Sequence, residues 1–322
     1  MKRILLICLG LLVAVFSGAI FFGGPGTPQP VASINEPFNS VDFSDLPPLA
    51  RFTVRDGTKL AYRFYPSAAV TPGKGSVVFV HGSSATSSSM HPMAKAFSTA
   101  GYPAYTLDVR GHGASGRKGQ IAYIGQLEDD LADFVQAVSP AQPLTLVGFS
   151  SGGGFAIRFA GSNQQNLFQS YLLLAPFISQ DAPTQRPASG GWANVGVPRI
   201  IAIAMLNGFG IKAFNSLPVV RFALSDSARA ILTPEYSYAL ETNFRPNRDY
   251  LADVRNMHRP FRILIGENDE VYYPDRFAEV LKQAGRDPAV TVVPAVDHIH
   301  LILSPTALKT SIEAVNSLRS GG

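Results

Sequence analysis

Residues 144–161 read LTLVGFSSGGGFAIRFAG. The apolar run 144–149 is typical of a strand covered on both faces, and a helical pattern begins directly after it. Ser150 stands at the junction, with Gly148 two positions before it and Gly152 two positions after it. In a sharp strand-to-helix turn the central side chain protrudes above the sheet, and small residues at these two positions avoid a clash with it. The stretch therefore predicts that Ser150 is presented as a nucleophile.

The helix that follows Ser150 favours negative charge at its N-terminus. Its first N–H groups, including that of Ser151, point toward whatever Ser150 attacks, and the helix dipole stabilises developing negative charge. A bound phosphate or simple close packing are the alternatives to a nucleophile. No Lys-Ser or Lys-Thr pair follows the glycines, and the next strand, SYLLLAPF, does not end in the acidic residue of a dinucleotide site. The nucleophile is therefore the favoured interpretation.

Short apolar runs alternate with amphipathic stretches through most of the chain. Runs such as SVVFVHG, LTLVGFS and SYLLLAPF are nearly all apolar, as strands covered on both faces should be. The alternation predicts an α/β fold with a mostly parallel sheet and helices on both faces. Alternating residues around Asp56-Gly57 predict an N-terminal antiparallel hairpin, and the rhythm breaks over 179–254, where we expect an inserted cap.

Five parts follow from this division of the chain. We expect a membrane anchor or signal segment at 1–25, a Pro- and Ser-rich tether at 26–48, the first part of the core at 49–178, the cap at 179–254 and the second part of the core at 255–322.

Composition limits the classes of function. The 322 residues are 46% hydrophobic and 16% charged, which suits a packed body and not a disordered chain. The formal net charge is +4, but Lys and Arg are scattered and form no basic run with aromatic residues, so nucleic acid is not expected as a partner. The only cysteine, Cys8, leaves no internal disulfide to expect.

The N-terminal segment indicates membrane targeting. Lys2 and Arg3 precede 19 residues without a charge, at positions 4–22. This length suits a spanning helix of ~20 residues better than the ~7–15 apolar residues of a cleaved signal peptide. With the positive flank in the cytoplasm, the body would lie outside it. Cleavage near Ser17-Gly18-Ala19, which would give a secreted protein, is the alternative.

A serine hydroxyl needs a base, and the base needs an orienting group. The candidate bases are His81, His91, His112, His258, His298 and His300. His298 is preferred because it follows the strand-like run VTVVPAVD and precedes the last helix, and His300 is the reserve candidate. His298 and His300 also have the spacing of a metal-binding pair, but no further His or carboxylate cluster has ligand spacing, so no metal is expected.

The orienting acid is expected where the strand FRILIG ends, in the sequence GENDE. Asp269 is the preferred residue, and Glu267, Glu270 and Asp297 are the alternatives. The resulting chain order is serine, acid, histidine.

A second donor is needed for the negative oxygen that forms when Ser150 attacks a carbonyl. The turn His81-Gly82-Ser83-Ser84 follows the strand SVVFV, and the backbone N–H of Ser83 is expected to face that of Ser151. His81 is interpreted as a structural residue of this turn and not as a base.

Together these motifs resemble the serine α/β-hydrolase superfamily. The sequences HGSS, DVRGHGASG, GFSSGG, GENDEV and VDHIH occur in this order, and the resemblance spans about 49–320 without the insertion. It is nearest to the monoacylglycerol lipase and lysophospholipase-like branch. The resemblance implies Ser150, Asp269 and His298 as the catalytic triad, Ser83 and Ser151 as oxyanion donors, and 108–112 as a structural loop. Lipases of this branch often follow His-Gly with an acidic residue and a histidine, whereas this chain has SSATSSS.

The expected reaction is hydrolysis of a carboxylic ester, from a lipid or another acyl ester, through an acyl-enzyme and without a metal or organic cofactor. A peptidase or amidase of the same fold, similar to prolyl aminopeptidases, is the first alternative, since it would use the same triad. A non-catalytic, membrane-tethered binding module is the second. An apolar segment of the insertion is expected either to roof an acyl pocket or to pack the cap onto the core; its residues are Ile200, Ile201, Ile203, Met205, Leu206 and Phe209.

Overall fold

The computed structural model describes five stretches of the chain, which are residues 2–29, 36–68, 73–187, 191–287 and 289–320. Part of the expected tether, 30–35, and part of the expected cap, 188–190, lie outside the described residues.

The described residues form an eight-stranded sheet and a smaller three-stranded sheet. In chain order the strands are β1 (Ala50–Thr53), β2 (Lys59–Tyr65), β3 (Ser76–Val80), β4 (Ala104–Leu107), β5 (Leu144–Phe149), β6 (Ser170–Leu174), β7 (Ala193–Val195), β8 (Pro218–Phe222), β9 (Glu235–Ser237), β10 (Phe261–Gly266) and β11 (Val290–Val293). The large sheet has the order β1-β2-β4-β3-β5-β6-β10-β11. Strand β2 pairs antiparallel with β1 and β4, and every other pairing in this sheet is parallel. The predicted N-terminal hairpin and mostly parallel sheet are confirmed.

Ten α-helices lie within the described residues. They are α1 (Lys2–Phe22), α2 (His91–Thr99), α3 (Gln126–Val138), α4 (Ser151–Ala160), α5 (Val197–Gly208), α6 (Asp226–Ile231), α7 (Tyr238–Asn243), α8 (Tyr250–Asn256), α9 (Phe277–Gln283) and α10 (Pro305–Ser320). Short 3₁₀ helices occupy Glu36–Ser40, Ser87–Met90, Gln165–Leu167, Pro274–Arg276 and Ile299–Ile302.

The centre of the core is formed by β3, β5 and β6, in which every residue is buried. Their nearly all-apolar sequences are what a central parallel strand needs, because helices cover the sheet on both faces. Helix α4 is buried along almost its whole length and packs on β5 and β6. The stretch that contains Ser150 therefore starts from the fully buried centre of the sheet.

The region predicted as a cap carries the second sheet, in which β8 pairs antiparallel with both β7 and β9. The apolar segment of the insertion forms α5, which begins after Gly196 with Pro198 in its first turn. Ile203 of this helix is fully buried, whereas Ile201, Met205 and Phe209 are exposed. The helix thus packs on the body along one side only.

The N-terminal apolar segment is helical and its end contacts the cap. Arg199 of α5 donates through Nε to the carbonyl oxygen of Ile20 at 2.6 Å, and the ring of Phe21 lies edge-on to Phe214 at 6.2 Å. Counted over the residues that the structure describes in full, no helix is long and apolar enough to cross a membrane.

The segment predicted as a tether lies against the body over its described second half. Phe38 packs on the core, and Asp45 pairs with Lys95 of α2 at 2.6 Å. Apolar contacts contribute as well, since Phe38 is partly buried and the ring of Phe43 lies 5.7 Å from that of His91. The segment thus differs from a free linker.

Candidate active site

Ser150 occupies a sharp turn between β5 and α4. Its backbone has φ of 53° and ψ of −118°, a conformation that non-glycine residues rarely adopt. Three backbone hydrogen bonds hold it there: Ser150 N–H donates to Leu174 O at 2.9 Å, and Ser150 O accepts from the N–H groups of Gly154 and Phe177 at 3.0 Å each. The strained conformation is therefore imposed by the sheet and by the helix that it joins.

The two glycines around Ser150 are required by close backbone approach. A Cβ atom on Gly148 would fall against the carbonyl oxygen of Gly152, and a Cβ on Gly152 would fall against the carbonyl oxygens of His81 and Val80. No rotation of a side chain relieves a clash with backbone. The need for small residues at both positions agrees with the sequence, but the atoms they avoid are backbone carbonyls and not the side chain of Ser150.

The structure brings Ser150, His298 and Asp269 into one hydrogen-bonded series. Ser150 Oγ lies 3.1 Å from His298 Nε2, and His298 Nδ1 lies 2.8 Å from Asp269 Oδ2. Because a carboxylate can only accept, Nδ1 carries the proton, and Nε2 is left to accept from the serine hydroxyl. All three residues are buried, with Asp269 only 1% exposed. This is the arrangement that activates a serine nucleophile.

Asp269 is held by its own loop. Its Oδ1 accepts from the N–H groups of Val271 at 2.9 Å and Tyr272 at 2.8 Å, which leaves Oδ2 free for the histidine. Arg186 donates through Nε to the carbonyl oxygens of Asp269 and Tyr272, at 3.0 Å each. The guanidinium of Arg186 also stacks over the ring of Tyr273 at 4.2 Å. The carboxylate is therefore fixed on both sides of the turn.

His298 is packed as well as hydrogen-bonded. Its ring lies 4.9 Å from that of Phe149 and 5.4 Å from that of Tyr272, and its backbone N–H donates to Glu270 Oε2 at 3.0 Å. Burial raises the pKa of Tyr272. These contacts fix the position and the orientation of the imidazole ring.

The reserve candidates lie outside this series. His300 is exposed and its Nδ1 contacts Asp297 at 2.7 Å, so these two residues form a separate surface pair. Glu267 accepts from Ala295 N–H at 2.9 Å, and Glu270 supports the backbone of His298. Among the alternatives considered from sequence, none contacts Ser150 or the ring of His298.

The two candidate oxyanion residues are neighbours. The hydroxyls of Ser83 and Ser151 are hydrogen-bonded to each other, and both residues line the same cavity as Ser150. Within the described part of the chain, neither backbone N–H has a hydrogen-bond acceptor. Both N–H groups are therefore available for a negative oxygen on the substrate.

Other predicted residues support the turn that carries Ser83. His81 is fully buried and contacts Gly82 O through Nδ1 at 2.8 Å, which agrees with a structural role. Asp108 accepts from Ser87 N–H at 2.7 Å and from Ala114 N–H at 2.8 Å. The 108–112 loop thus braces the start of this region.

A cavity of about 610 Å³ opens above the serine. Its wall comes from three parts of the chain: the core, the cap and the N-terminal segment that was expected to be a tether. The side chains from the latter two include Phe38, Phe43, Trp192, Val195, Val220, Phe222, Ile231 and Leu232. The cavity is therefore mainly apolar and long enough for more than the reacting group.

Of the two roles expected for the apolar segment of the insertion, the structure shows packing of the cap and not a roof over the cavity. None of Ile200, Ile201, Ile203, Met205, Leu206 and Phe209 borders it. Ile203 packs in the core and Ile200 against it, while Ile201, Met205 and Phe209 face outward. The roof comes instead from the small sheet and α6.

Several residues of the site gave no readable signal. Tyr272 contributes a ring to the site, Arg186 a guanidinium, and Phe38 a part of the cavity wall. No recognisable motif contains any of them. Only the position of Tyr272, shortly after the predicted acid, could have drawn attention to it.

Replacing Asp269 by Asn tests the acid. The variant keeps the shape of the turn but removes the charge that orients and stabilises the imidazole, so Ser150 should react with a fluorophosphonate about 10³–10⁴-fold more slowly. The rate of labelling, followed on a gel, measures this. Asp297→Asn, which alters the exposed pair with His300, should label at the wild-type rate. Equal effects of the two substitutions would remove Asp269 from this role.

Sequence comparisons agree with this geometry. The family model described as serine aminopeptidase, S33, matches residues 71–303. A monoacylglycerol lipase of Mycolicibacterium smegmatis is 30% identical over 115 residues, which are 34% of this chain and 40% of the lipase. The non-heme chloroperoxidase CPO-A1 of Kitasatospora aureofaciens is 32% identical over 124 residues, which are 38% of this chain and 42% of that protein. The chain spans about two fifths of the length of these curated relatives.

A solved structure extends the likeness to the whole fold. A soluble variant of monoglyceride lipase from Saccharomyces cerevisiae, in complex with a substrate analog, is 19% identical and has a TM-score of 0.62 over 85% of this chain and 95% of that one. Since the family model covers most of the chain, the resemblance inferred from the motifs is confirmed. The protein belongs to the serine α/β-hydrolases, in the family described as serine aminopeptidase, S33.

Proposed function

We propose that this protein hydrolyses carboxylic esters, of lipids or other acyl compounds, through an acyl-enzyme on Ser150. The observation that carries the proposal is the hydrogen-bonded series of Ser150, His298 and Asp269 at the wall of a largely apolar cavity. A serine, an imidazole and a carboxylate in this series are the groups that acyl transfer through a serine requires.

The reaction proceeds in two halves. Ser150 Oγ attacks the ester carbonyl while His298 Nε2 takes its proton, and the negative oxygen is bound by the N–H groups of Ser83 and Ser151. His298 then gives the proton to the departing alcohol, and the acyl group remains on the serine. Water then attacks the acyl-serine ester with His298 again as base and then as acid, and the carboxylic acid is released. Asp269 stabilises the imidazolium in both halves. The reaction needs no metal or organic cofactor.

The cavity supports an acyl substrate. Its apolar wall would remove an alkyl chain from water, and each buried CH₂ contributes about 0.8 kcal/mol. The similarity to a monoacylglycerol lipase points to the same class of ester. The chain length that fits best depends on Val220, Phe222 and their neighbours in the cap.

A peptidase of the same fold would need an acidic site for the substrate amine. Among the described residues, two carboxylates line the cavity: Glu270 accepts from His298 N–H at 3.0 Å, and Glu241 pairs through Oε1 with Arg245 at 3.3 Å while its Oε2 is buried without a hydrogen-bond partner. An ammonium group would compete with these contacts. This favours an ester over an aminopeptidase substrate.

We further propose that the body is held at a membrane, outside the cytoplasm, by its N-terminal segment. The side chains that support this proposal lie on α1 and α5. These two helices are adjacent, since Arg199 of α5 contacts the end of α1. Val15 and Phe22 of α1 and Ile201 and Met205 of α5 are about half exposed or more. Apolar side chains grouped in this way favour a lipid surface.

Labelling with a fluorophosphonate tests the nucleophile. The wild-type protein should be modified on one serine, and Ser150→Ala should not be modified. Ser162→Ala, two residues beyond the C-terminal end of α4, is the matched control and should label like the wild type. Labelling that persists in Ser150→Ala would place the nucleophile elsewhere, and an unlabelled wild-type protein would favour a binding module.

A substrate panel tests the class of bond and the cavity. With p-nitrophenyl esters from acetyl to dodecanoyl, kcat/KM should rise about fourfold for each CH₂ until the cavity is filled. Aminoacyl and prolyl anilides should be poor substrates. Val220→Phe places a ring in the cavity and should move the preferred ester to a shorter chain. A preference for anilides would overturn the ester proposal.

Fractionation of cells that produce the full chain tests its location. The intact protein should remain with membranes after a high-salt wash, and protease added to spheroplasts should digest the body. Mass spectrometry of the purified protein distinguishes the two versions, because an uncleaved segment retains residues 4–22. A cleaved protein in the soluble fraction would support secretion instead.

A further inference from the structure

Ser84, the residue after the candidate oxyanion donor, is held by the cap at three points. Its N–H donates to the hydroxyl of Tyr236 at 2.5 Å, its Oγ donates to Thr233 O at 2.6 Å, and its carbonyl oxygen accepts from Thr233 N–H at 2.8 Å. Ser84 has φ of 65°, which a residue with a side chain seldom adopts. The cap contacts therefore maintain an unfavourable backbone conformation next to Ser83.

The hydroxyl of Tyr236 has one proton, and its partners decide where that proton lies. Since it accepts from Ser84 N–H, it donates to His112 Nε2 at 2.6 Å. Nδ1 of His112 then carries the ring proton and faces Arg110 O at 3.3 Å. Burial keeps the pKa of His112 well below its ordinary value, which agrees with a neutral ring. The Tyr236 hydroxyl thus links the cap to two elements of the core.

The other side of Ser83 is held from within the core. Val109 N–H donates to His81 Nε2 at 3.3 Å, so His81 Nδ1 is protonated and donates to Gly82 O at 2.8 Å. Each peptide unit is planar, so the carbonyl of Gly82 and the N–H of Ser83 turn together, as do the carbonyl of Ser83 and the N–H of Ser84. Fixing Gly82 O and Ser84 N–H therefore fixes both planes that meet at Ser83.

We propose that Tyr236 is a positioning residue: its hydroxyl, together with Thr233, holds the peptide between Ser83 and Ser84 and so keeps the adjoining Ser83 N–H at the oxyanion site, which is complete only while this part of the cap is docked. This inference rests on the proposed hydrolase function. Tyr236 would then have two roles in the cap, because it also borders the cavity. Its ring bounds the substrate and its hydroxyl prepares the donor.

Removing only the hydroxyl of Tyr236 distinguishes its role in positioning the backbone from the packing of its ring. The ring of Tyr236 packs on Phe222 at 4.8 Å and on His112 at 5.2 Å, and Tyr236→Phe keeps both contacts. The matched control is Tyr238→Phe, which removes the hydroxyl of another buried tyrosine of the cap that does not border the cavity. Both variants are followed by thermal unfolding and by steady-state hydrolysis of a p-nitrophenyl ester that the wild-type enzyme accepts.

Tyr236→Phe should lower kcat about 10- to 100-fold with KM within a factor of about two, because loss of a whole oxyanion donor costs 10²–10³-fold and misalignment costs less. The inhibition constant of a boronic acid, which forms a tetrahedral adduct, should rise by a similar factor. Tyr238→Phe should retain both wild-type constants. A merely structural role would lower the unfolding temperature without this split between kcat and KM.

A second variant, Ser84→Gly, tests the same contacts between Ser84 and the cap by changing the core residue. Glycine accepts the φ of 65° but lacks the hydroxyl that donates to Thr233, so kcat should fall with KM unchanged. This variant decides the question where Tyr236→Phe does not fold. Wild-type kcat in either folded variant, or a rise in KM alone, would overturn the inference. Absence of ester hydrolysis in the wild-type enzyme would instead overturn the proposed function.

Discussion

The turn at Ser150 is the constraint on which the rest of the site depends. A residue with positive φ is unfavourable by roughly 1–3 kcal/mol, and it persists here because the surrounding backbone allows no other path. Leu174 O on β6 accepts from the N–H of Ser150, and the N–H of Phe177 donates to the carbonyl oxygen of Ser150. The buried strand before the turn and the buried helix after it supply the apolar contacts that offset this cost.

The parallel sheet explains why three distant segments meet. Strands β5, β10 and β11 run in the same direction, and Ser150, Asp269 and His298 each follow the carboxyl end of one of them. Side chains at the ends of parallel strands share one edge of the sheet, so the series needs no special loop to bring its members together. What the loops add is orientation: Tyr272 N–H fixes one oxygen of Asp269, and Glu270 fixes the backbone of His298.

The parts of the site that follow from local pattern were predictable, and those that depend on long-range packing were not. Gly148 and Gly152 surround Ser150 at a spacing that backbone geometry demands, and Asp269 and His298 follow recognisable strands. The role of the apolar segment in the insertion was left open between roofing the cavity and packing the cap, because an apolar sequence does not show which of its faces meets the core. Thr233 and Tyr236 reach Ser84 across about 150 positions of chain, a distance over which no sequence pattern operates.

These long-range contacts couple substrate binding to the chemistry. Phe222 borders the cavity and packs on the ring of Tyr236 at 4.8 Å. A ligand that displaces Phe222 therefore acts on the same tyrosine whose hydroxyl holds the Ser84 amide. The core holds the peptide between Gly82 and Ser83, which carries the Ser83 N–H, and the cap holds the next peptide, between Ser83 and Ser84, so the place of this N–H depends on both contacts. Acyl-chain specificity and the rate of the chemical step are then properties of one contact between the cap and the core, and not of two independent regions.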